Sequence, residues 1–203
     1  MIHIQNLNYA VGGRPIFSDF EFNVEPGEKV LIRGRSGRGK TSLLKLIMGF
    51  VIPEGGKISI QGRSLDQAPI SEIRRDLFYL SQDIDLMDGP VDLLIREICQ
   101  AQPGPMDVED GLAREMEFLE LPPSTLGKQI SELSGGERQR LGLLLGFLLN
   151  RPVWLLDEPT AALDDELKVK IAHRVGLSHN TVVVISHDNV WRDVPGLRME
   201  RWS

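Results

Sequence analysis

Polar and apolar residues alternate through "IHIQNLNYAV" near the start of the chain, and this period of two predicts a half-buried strand. "FSDFEFNVEPGEKVLIRG" predicts two more strands around a turn at Pro26-Gly27. The second of these, from Lys29 to Ile32, runs into a glycine-rich loop, and "TSLLKLIMGF" then carries helical spacing. "GGKISIQG" returns to a strand, and "LFYLSQ" predicts a short one ending at Gln82.

The period changes after Gln82. "VDLLIREICQ" and "VEDGLAREMEFLEL" repeat their apolar residues at helical spacing, with "AQPGP" between them and "LPPS" after them. The stretch 83–133 is therefore expected to be an inserted helical subdomain, with 1–82 and 134–203 forming the core around it. From Glu137 a helix is expected to about Asn150, followed by the apolar strand "VWLLDE", the helix "DDELKVKIAHRV" and the buried strand "TVVVISH". "GLRMERWS" predicts a last edge strand. Strands that are apolar throughout and alternate with helices predict an α/β fold whose sheet is mostly parallel and covered on both faces, with an antiparallel β subdomain at the N-terminus.

Composition narrows the partners. A net charge of -6 argues against a basic nucleic-acid footprint over the whole surface. The single cysteine, Cys99, cannot form an internal disulfide, and no chemistry surrounds it, so it is expected to pack in the interior of a protein from a reducing compartment. No basic segment followed by an apolar run opens the chain, so no secretory leader is expected. The most apolar run, Leu141 to Leu149, falls short of the roughly 18–20 residues that a membrane helix requires.

Chemistry enters with "GRSGRGKTS". Gly34, Gly39, Lys40 and Thr41 fit the phosphate-loop pattern between a predicted strand and a predicted helix. The loop from Gly34 through Arg35, Ser36, Gly37, Arg38 and Gly39 to Ser42 would wrap backbone N–H groups around phosphates at a helix N-terminus. Lys40 would reach the β- and γ-phosphates of a nucleotide, and Thr41 would take one position on Mg²⁺. Asp157, at the carboxyl end of an apolar strand, would hold Mg²⁺ through water, and Glu158 would orient or deprotonate the attacking water. "LSGGERQRL" forms a second glycine turn that opens a helix, at Ser134, Gly135, Gly136 and Glu137, but it carries no lysine of its own.

That turn resembles the signature motif of ATP-binding-cassette (ABC) ATPases, and the other marks of that family follow in order over roughly residues 1–190. Tyr9 matches the aromatic that stacks on adenine, and Gln82 the glutamine that links the metal site to the helical subdomain. Asp157-Glu158 match the Walker B pair, Asp164 in "AALD" the D-loop, and His187 in "ISHD" the switch histidine beside the γ-phosphate. The resemblance implies a P-loop NTPase core, Mg²⁺-dependent ATP hydrolysis, and two copies, or a pair of cassettes, packed head to tail on ATP. The glycine turn of one would close over the γ-phosphate held by the lysine loop of the other.

The resemblance further implies an integral membrane permease subunit as partner and a cytoplasmic location, peripheral on the inner face of the membrane, with no nucleic acid bound. "QDIDLMDGP", from Gln82 to Pro90, is the segment expected to face that permease. Two other functions compete: a non-transport ABC ATPase acting on DNA or ribosomes, and a nucleotide-gated module without turnover. Long coiled coils or fused cassettes would favour the first, and neither is present; Glu158 and His187 argue against the second. The chain departs from the family in placing Arg35 and Arg38 within the phosphate loop, with Arg33 just before it, where small residues are common. The segment from Asp164 to His187 is also short, and a minimal cassette without a further regulatory domain is expected.

Overall fold

A computed structural model of the chain describes residues 1–101 and 108–202. From Gln102 onward, the expected "AQPGP" connection lies outside the described residues. Strands β1 (Ile2–Val11) and β2 (Arg14–Val24) form a hairpin, followed by β3 (Lys29–Gly34) and helix α1 (Lys40–Ile47). Next come β4 (Gly55–Ile60), the two-residue β5 (Arg63–Ser64), the short helix α2 (Ile70–Arg74) and β6 (Leu77–Leu80). Helices α3 (Val91–Gln100) and α4 (Val108–Phe118) lead through two 3-10 turns to α5 (Gly135–Leu149). The chain finishes with β7 (Val153–Asp157), α6 (Asp165–Leu177), β8 (Thr181–Ile185) and β9 (Arg198–Trp202).

Two sheets result. An antiparallel one is ordered β2-β1-β4-β5, and a wholly parallel one β6-β7-β8-β3-β9, with β9 at the edge as its position in the chain suggested. Side chains alternate between the two faces of the parallel sheet. Leu31, Trp154, Leu156, Val182 and Val184 point to the face covered by α5, α6 and the inserted helices. Val30, Ile32, Val153, Leu155, Val183 and Ile185 point to the face covered by α1 and the antiparallel sheet. Burial on both faces is why these strands read as unbroken apolar runs.

The insert is tied down at its neck and at its far side. Val91 donates to the Lys128 carbonyl at 3.0 Å and Ile130 to the Gly89 carbonyl at 2.9 Å, so its entry and exit run side by side. Val91, Ile95 and Cys99 form the buried stripe of α3, and Cys99 is a free, buried thiol, as expected. On α4, the buried Glu115 pairs with Arg174 of α6 at 2.6 Å, and the Arg174 guanidinium lies over the Phe118 and Phe147 rings at 4.4 and 4.1 Å.

Among the boundaries that differ from the sequence pattern, two have a plain local cause. Strand β6 stops at Leu80 rather than Gln82, because the Ser81 hydroxyl donates to the Asp83 carbonyl at 2.7 Å and turns the chain away. Helix α5 starts at Gly135 rather than Glu137, because Ser134 caps it and its first turn includes both glycines.

Candidate functional site

Strands β3, β7 and β8 end together, with Ile32 and Asp157 each paired in register with Ile185. A cavity of about 610 Å³ opens beyond these ends, lined by Ser36, Gly37, Gly39, Lys40, Thr41, Ser42, Gln82, Asp157, Glu158 and His187 among others. Residues from four segments far apart in sequence thus meet where open parallel sheets bind ligands.

The phosphate loop requires glycine locally. Gly37 and Gly39 have φ values of 78° and 82°, in the left-handed region. A Cβ on Gly39 would also collide with Ile16 and come within 3.2 Å of the Phe17 ring. Lys40 opens α1 as a buried residue, and its Nζ donates back to the Gly34 and Arg35 carbonyls at 2.7 and 2.9 Å. Its charge is therefore held across the loop, facing the space that the N–H groups surround. Arg35 and Arg38 point elsewhere and do not line this cavity.

Asp157 is only 2% exposed at the end of a fully buried strand, and the Thr41 hydroxyl donates to its Oδ2 at 2.7 Å. Burial pushes the Asp157 pKa up, while the Thr41 hydrogen bond and the charges of Lys40 and Lys45 pull it back. A buried carboxylate in contact with a hydroxyl, beside a phosphate loop, suits a hard divalent cation. Among the described residues no three His, Cys, Asp or Glu side chains could hold a metal together. The remaining positions on such a cation would fall to Thr41, phosphate oxygens and water.

Glu158 has a φ of 48°, a conformation that ordinarily costs a non-glycine residue about 1–3 kcal/mol. Its surroundings hold it there. Its N–H donates to the Ile185 carbonyl at 2.8 Å, and its own carbonyl accepts from Gln139 Nε2 at 2.8 Å. Gln139 Oε1 also accepts from the Ala162 N–H at 3.2 Å, so one buried glutamine on α5 braces the whole loop after β7. Replacing Gln139 with Leu is expected to strip both bonds, destabilise the fold by about 1–3 kcal/mol and slow turnover more than it weakens nucleotide binding. Thermal melts together with separate measurements of Kd and kcat check this.

The Glu158 carboxylate faces the segment after β8. Its Oε2 accepts from the Ser186 hydroxyl and the His187 N–H, both at 3.2 Å, and Oε1 lies 3.7 Å from His187 Nε2. Arg33 holds this segment from the other side, donating to the His187 carbonyl at 2.7 Å and to Asn189 Oδ1 at 3.4 Å. Beneath it, Thr160 donates to Asp188 at 2.6 Å and accepts from the Trp191 indole at 3.1 Å, and Lys168 pairs with Asp188 at 3.1 Å.

Ser134, Gly135, Gly136 and Glu137 lie elsewhere. Ser134 Oγ accepts from the Glu137 N–H at 3.2 Å and Glu137 Oε2 accepts from the Ser134 N–H at 2.9 Å, a reciprocal capping box. The Glu137 N–H, expected to point toward phosphate, is taken by this cap, whereas the Gly135 and Gly136 N–H groups in the first turn have no intrahelical partner. Gly135 lines a separate cavity of about 550 Å³ with Gln82, Asp83, Ile84, Asp85, Leu133, Arg138, Gln139 and Ala162. Gln82 borders both cavities. Tyr9 does not line the nucleotide-sized cavity; it packs half-buried on the core under the antiparallel sheet, and Val11 and Ile16 line the cavity on that side. Asp164 caps α6 by accepting from the Leu167 N–H at 2.9 Å.

The Lys128 ammonium donates to Glu137 at 2.7 Å and, with the Ser134 N–H, holds the Glu137 pKa down to about 2. A carboxyl depressed in the fold stabilises it above its unfolded pKa, near 4.3, and loses that effect as pH falls toward 2. The stability gap between the parent and Glu137→Gln is therefore expected to be constant from pH 8 to about 5 and to close below about 4. Urea unfolding across that range measures it.

The family model described as "ABC transporter" matches residues 17–161. This chain belongs to the ABC transporter family. It is 35% identical over 187 residues to the ATP-dependent lipid A-core flippase of Xanthomonas campestris pv. campestris (strain 8004), covering 88% of this chain and 32% of that protein. It is 34% identical over 172 residues to a probable ABC transporter ATP-binding/permease protein of Haemophilus influenzae, covering 80% and 30% respectively. The cassette thus spans about a third of the length of these relatives. Its fold matches an ATP-binding cassette solved as a dimer in a post-hydrolysis state with ADP and Pi, with a TM-score of 0.83 and 27% identity over 95% of this chain and 90% of that one. The α/β architecture of parallel sheet, antiparallel sheet and inserted helices is that of such a cassette.

Proposed function

We propose that this chain is an Mg²⁺-dependent ATPase that closes as a head-to-tail pair on ATP and powers substrate movement by a membrane-spanning permease. The observation that carries the pairing is Gly135. Its φ is not in the left-handed region, and a Cβ built on it meets nothing within 4 Å. Glycine at a helix start is therefore not required by this chain's own fold. It keeps clear a surface on which something lands from outside, and its turn borders a different cavity from the one that holds Lys40. A γ-phosphate held by a second copy fits both facts.

In the closed pair, Lys40 and the loop N–H groups neutralise the β- and γ-phosphates. Thr41 and Asp157 would hold Mg²⁺, which supplies charge stabilisation across the phosphates. The Glu158 carboxylate takes the proton from the attacking water, with His187 beside it ordering water and γ-phosphate. Adenine would lie at the rim lined by Val11 and Ile16, and Tyr9, on the same strand as Val11, would have to turn outward from the core to stack on it. The paired N–H groups of Gly135 and Gly136 bind a γ-phosphate and have none to bind after hydrolysis, so ATP favours the closed state and ADP the open one. Asp164, close to that turn along the loop from Ala162, lies at the same interface.

Gln82, bordering both cavities, connects the site to the segment that leaves it. In that segment Ile84 and Leu86 pack on the core while Met87 is exposed, so an apolar side chain is free to meet a permease. No helix among the described residues is long and apolar enough to cross a membrane; in the proposed transporter the crossing would fall to the permease, with this cassette on its cytoplasmic face. Relatives named as a flippase and as an ATP-binding/permease protein favour transport over action on DNA or ribosomes. The test is hydrolysis of Mg-ATP by the purified chain, with sedimentation in ATP and in ADP. Turnover with association in ATP alone is expected; a monomer in both, with no turnover, would sink the proposal.

A further inference from the structure

The phosphate loop has a second side. Gly34, Arg35 and Arg38 face away from the nucleotide cavity and, with Arg33, Arg192, Arg201 and Trp202, line a concavity of about 480 Å³. Arg35, Arg38, Arg192 and Arg201 form no ion pair and donate no side-chain hydrogen bond among the described residues. Burial, with the charges of Arg192 and Arg201 beside it on the same concavity, holds the Arg33 pKa down against the opposing pull of Glu158 and Asp188. Such a cluster on a chain of net charge -6 is a focused positive spot on an acidic surface.

The matching negative group lies on the same chain. Asp164, Asp165 and Glu166 open α6, where carboxylates complement the helix dipole. Asp165 is fully exposed, at 100%, and among the described residues reaches only Lys168 at 3.8 Å; Glu166 is 80% exposed and pairs with Lys170 at 3.1 Å. Solvated pairs of this kind leave the carboxylates available to a better partner. The acidic segment is also fixed to the glycine turn. A Cβ on Gly136 would lie 3.0 Å from the Ala162 carbonyl, and Gln139 of the same helix accepts from the Ala162 N–H. Whatever meets the turn therefore meets the start of α6 a few residues further on.

We propose that in the closed pair Asp165 and Glu166 of one copy seat in the arginine-lined concavity of the other, an electrostatic latch beside each nucleotide. This rests on the head-to-tail reading above. If the turn of one copy lies on the phosphate loop of its partner, its acidic neighbours reach the far side of that same loop. The latch is specific in sign: two copies of equal net charge repel overall and attract only in this register.

The experiment uses the full chain carrying Glu158→Gln, so that ATP is retained, and measures self-association by sedimentation in Mg-ATP. One variant adds Arg192→Glu and Arg201→Glu, and another adds Asp165→Arg and Glu166→Arg. Each alone should self-associate at least about ten-fold more weakly, because the first variant makes two of the five arginine positions of the concavity acidic and the second sets arginines against arginines. Mixed together, the two variants should pair more tightly than either alone, because one latch of the mixed pair is the parent's own and the other sets the introduced acids against the introduced arginines. Binding of a fluorescent ATP analogue to each monomer should be unchanged, since none of the four residues lines the nucleotide cavity. Parent-like self-association of either variant, or loss of analogue binding, would overturn the latch. A mixture as weak as its components would also overturn it and point to a small anion in the concavity. A Glu158→Gln parent that stays monomeric in ATP would remove the head-to-tail reading itself, and the latch with it.

Discussion

Glu158→Gln is expected to lower ATP turnover by about a thousand-fold while leaving the affinity for ATP within a few-fold of the parent. The amide has the size and reach of the carboxylate, and its oxygen can still accept from the Ser186 hydroxyl and the His187 N–H that now contact Oε2. The left-handed backbone at Glu158 is held by the Ile185 carbonyl and by Gln139, neither of which touches the side chain. Geometry is thus kept and only proton acceptance is lost. Lys40, Thr41 and the loop N–H groups, which hold the phosphates, are unaffected. Single-turnover kinetics should show slow cleavage of bound ATP, and sedimentation should show the pair persisting in ATP. A fall in rate of less than about ten-fold would assign the base to another group.

What the sequence disclosed about this site, and what it hid, divides by distance along the chain. The phosphate loop is legible because every requirement is local: a strand running in, left-handed glycines at 37 and 39, and a helix opening at Lys40. The parallel strands are legible because burial on both faces makes them apolar throughout. The two-residue β5 and the short α2 carry too few residues for a period to register. Gln139 looks like one polar residue among several in "GERQR", and only the fold brings α5 beneath the loop after β7, where it spans Glu158 and Ala162. Arg33 likewise reads as a charge at the end of a strand. Its role in holding the His187 carbonyl depends on β3 and β8 lying side by side, a pairing that joins residues about 150 apart. A signal for Gln139 was present in the Ser134 cap: with the helix starting at Gly135, position 139 lies one turn in and on the buried face.

Gly135→Asp is the sharper test, because it separates the needs of one copy from those of two. Aspartate in the first turn of α5 fills space that is open within the chain, and its charge complements the helix dipole. The monomer is therefore expected to melt at the parent temperature or slightly above it. The same carboxylate would stand where the partner's γ-phosphate arrives, and two anions in contact without water repel strongly. Hydrolysis and ATP-dependent pairing are expected to fall by about a hundred-fold or more. Lys40→Ala should be inactive for a different reason, loss of the charge held across the phosphate loop. Mixing the two inactive proteins then decides where the site is. A head-to-tail pair made of one of each has one ruined site, containing both substitutions, and one intact site, combining Lys40 from the first with Gly135 from the second. Up to about a quarter of the parent activity should return in an equal mixture, since half of the pairs are mixed and each has one good site. A site contained within a single chain would give no recovery at any ratio, and the two glycine cradles would then have to be explained as two separate ligand sites.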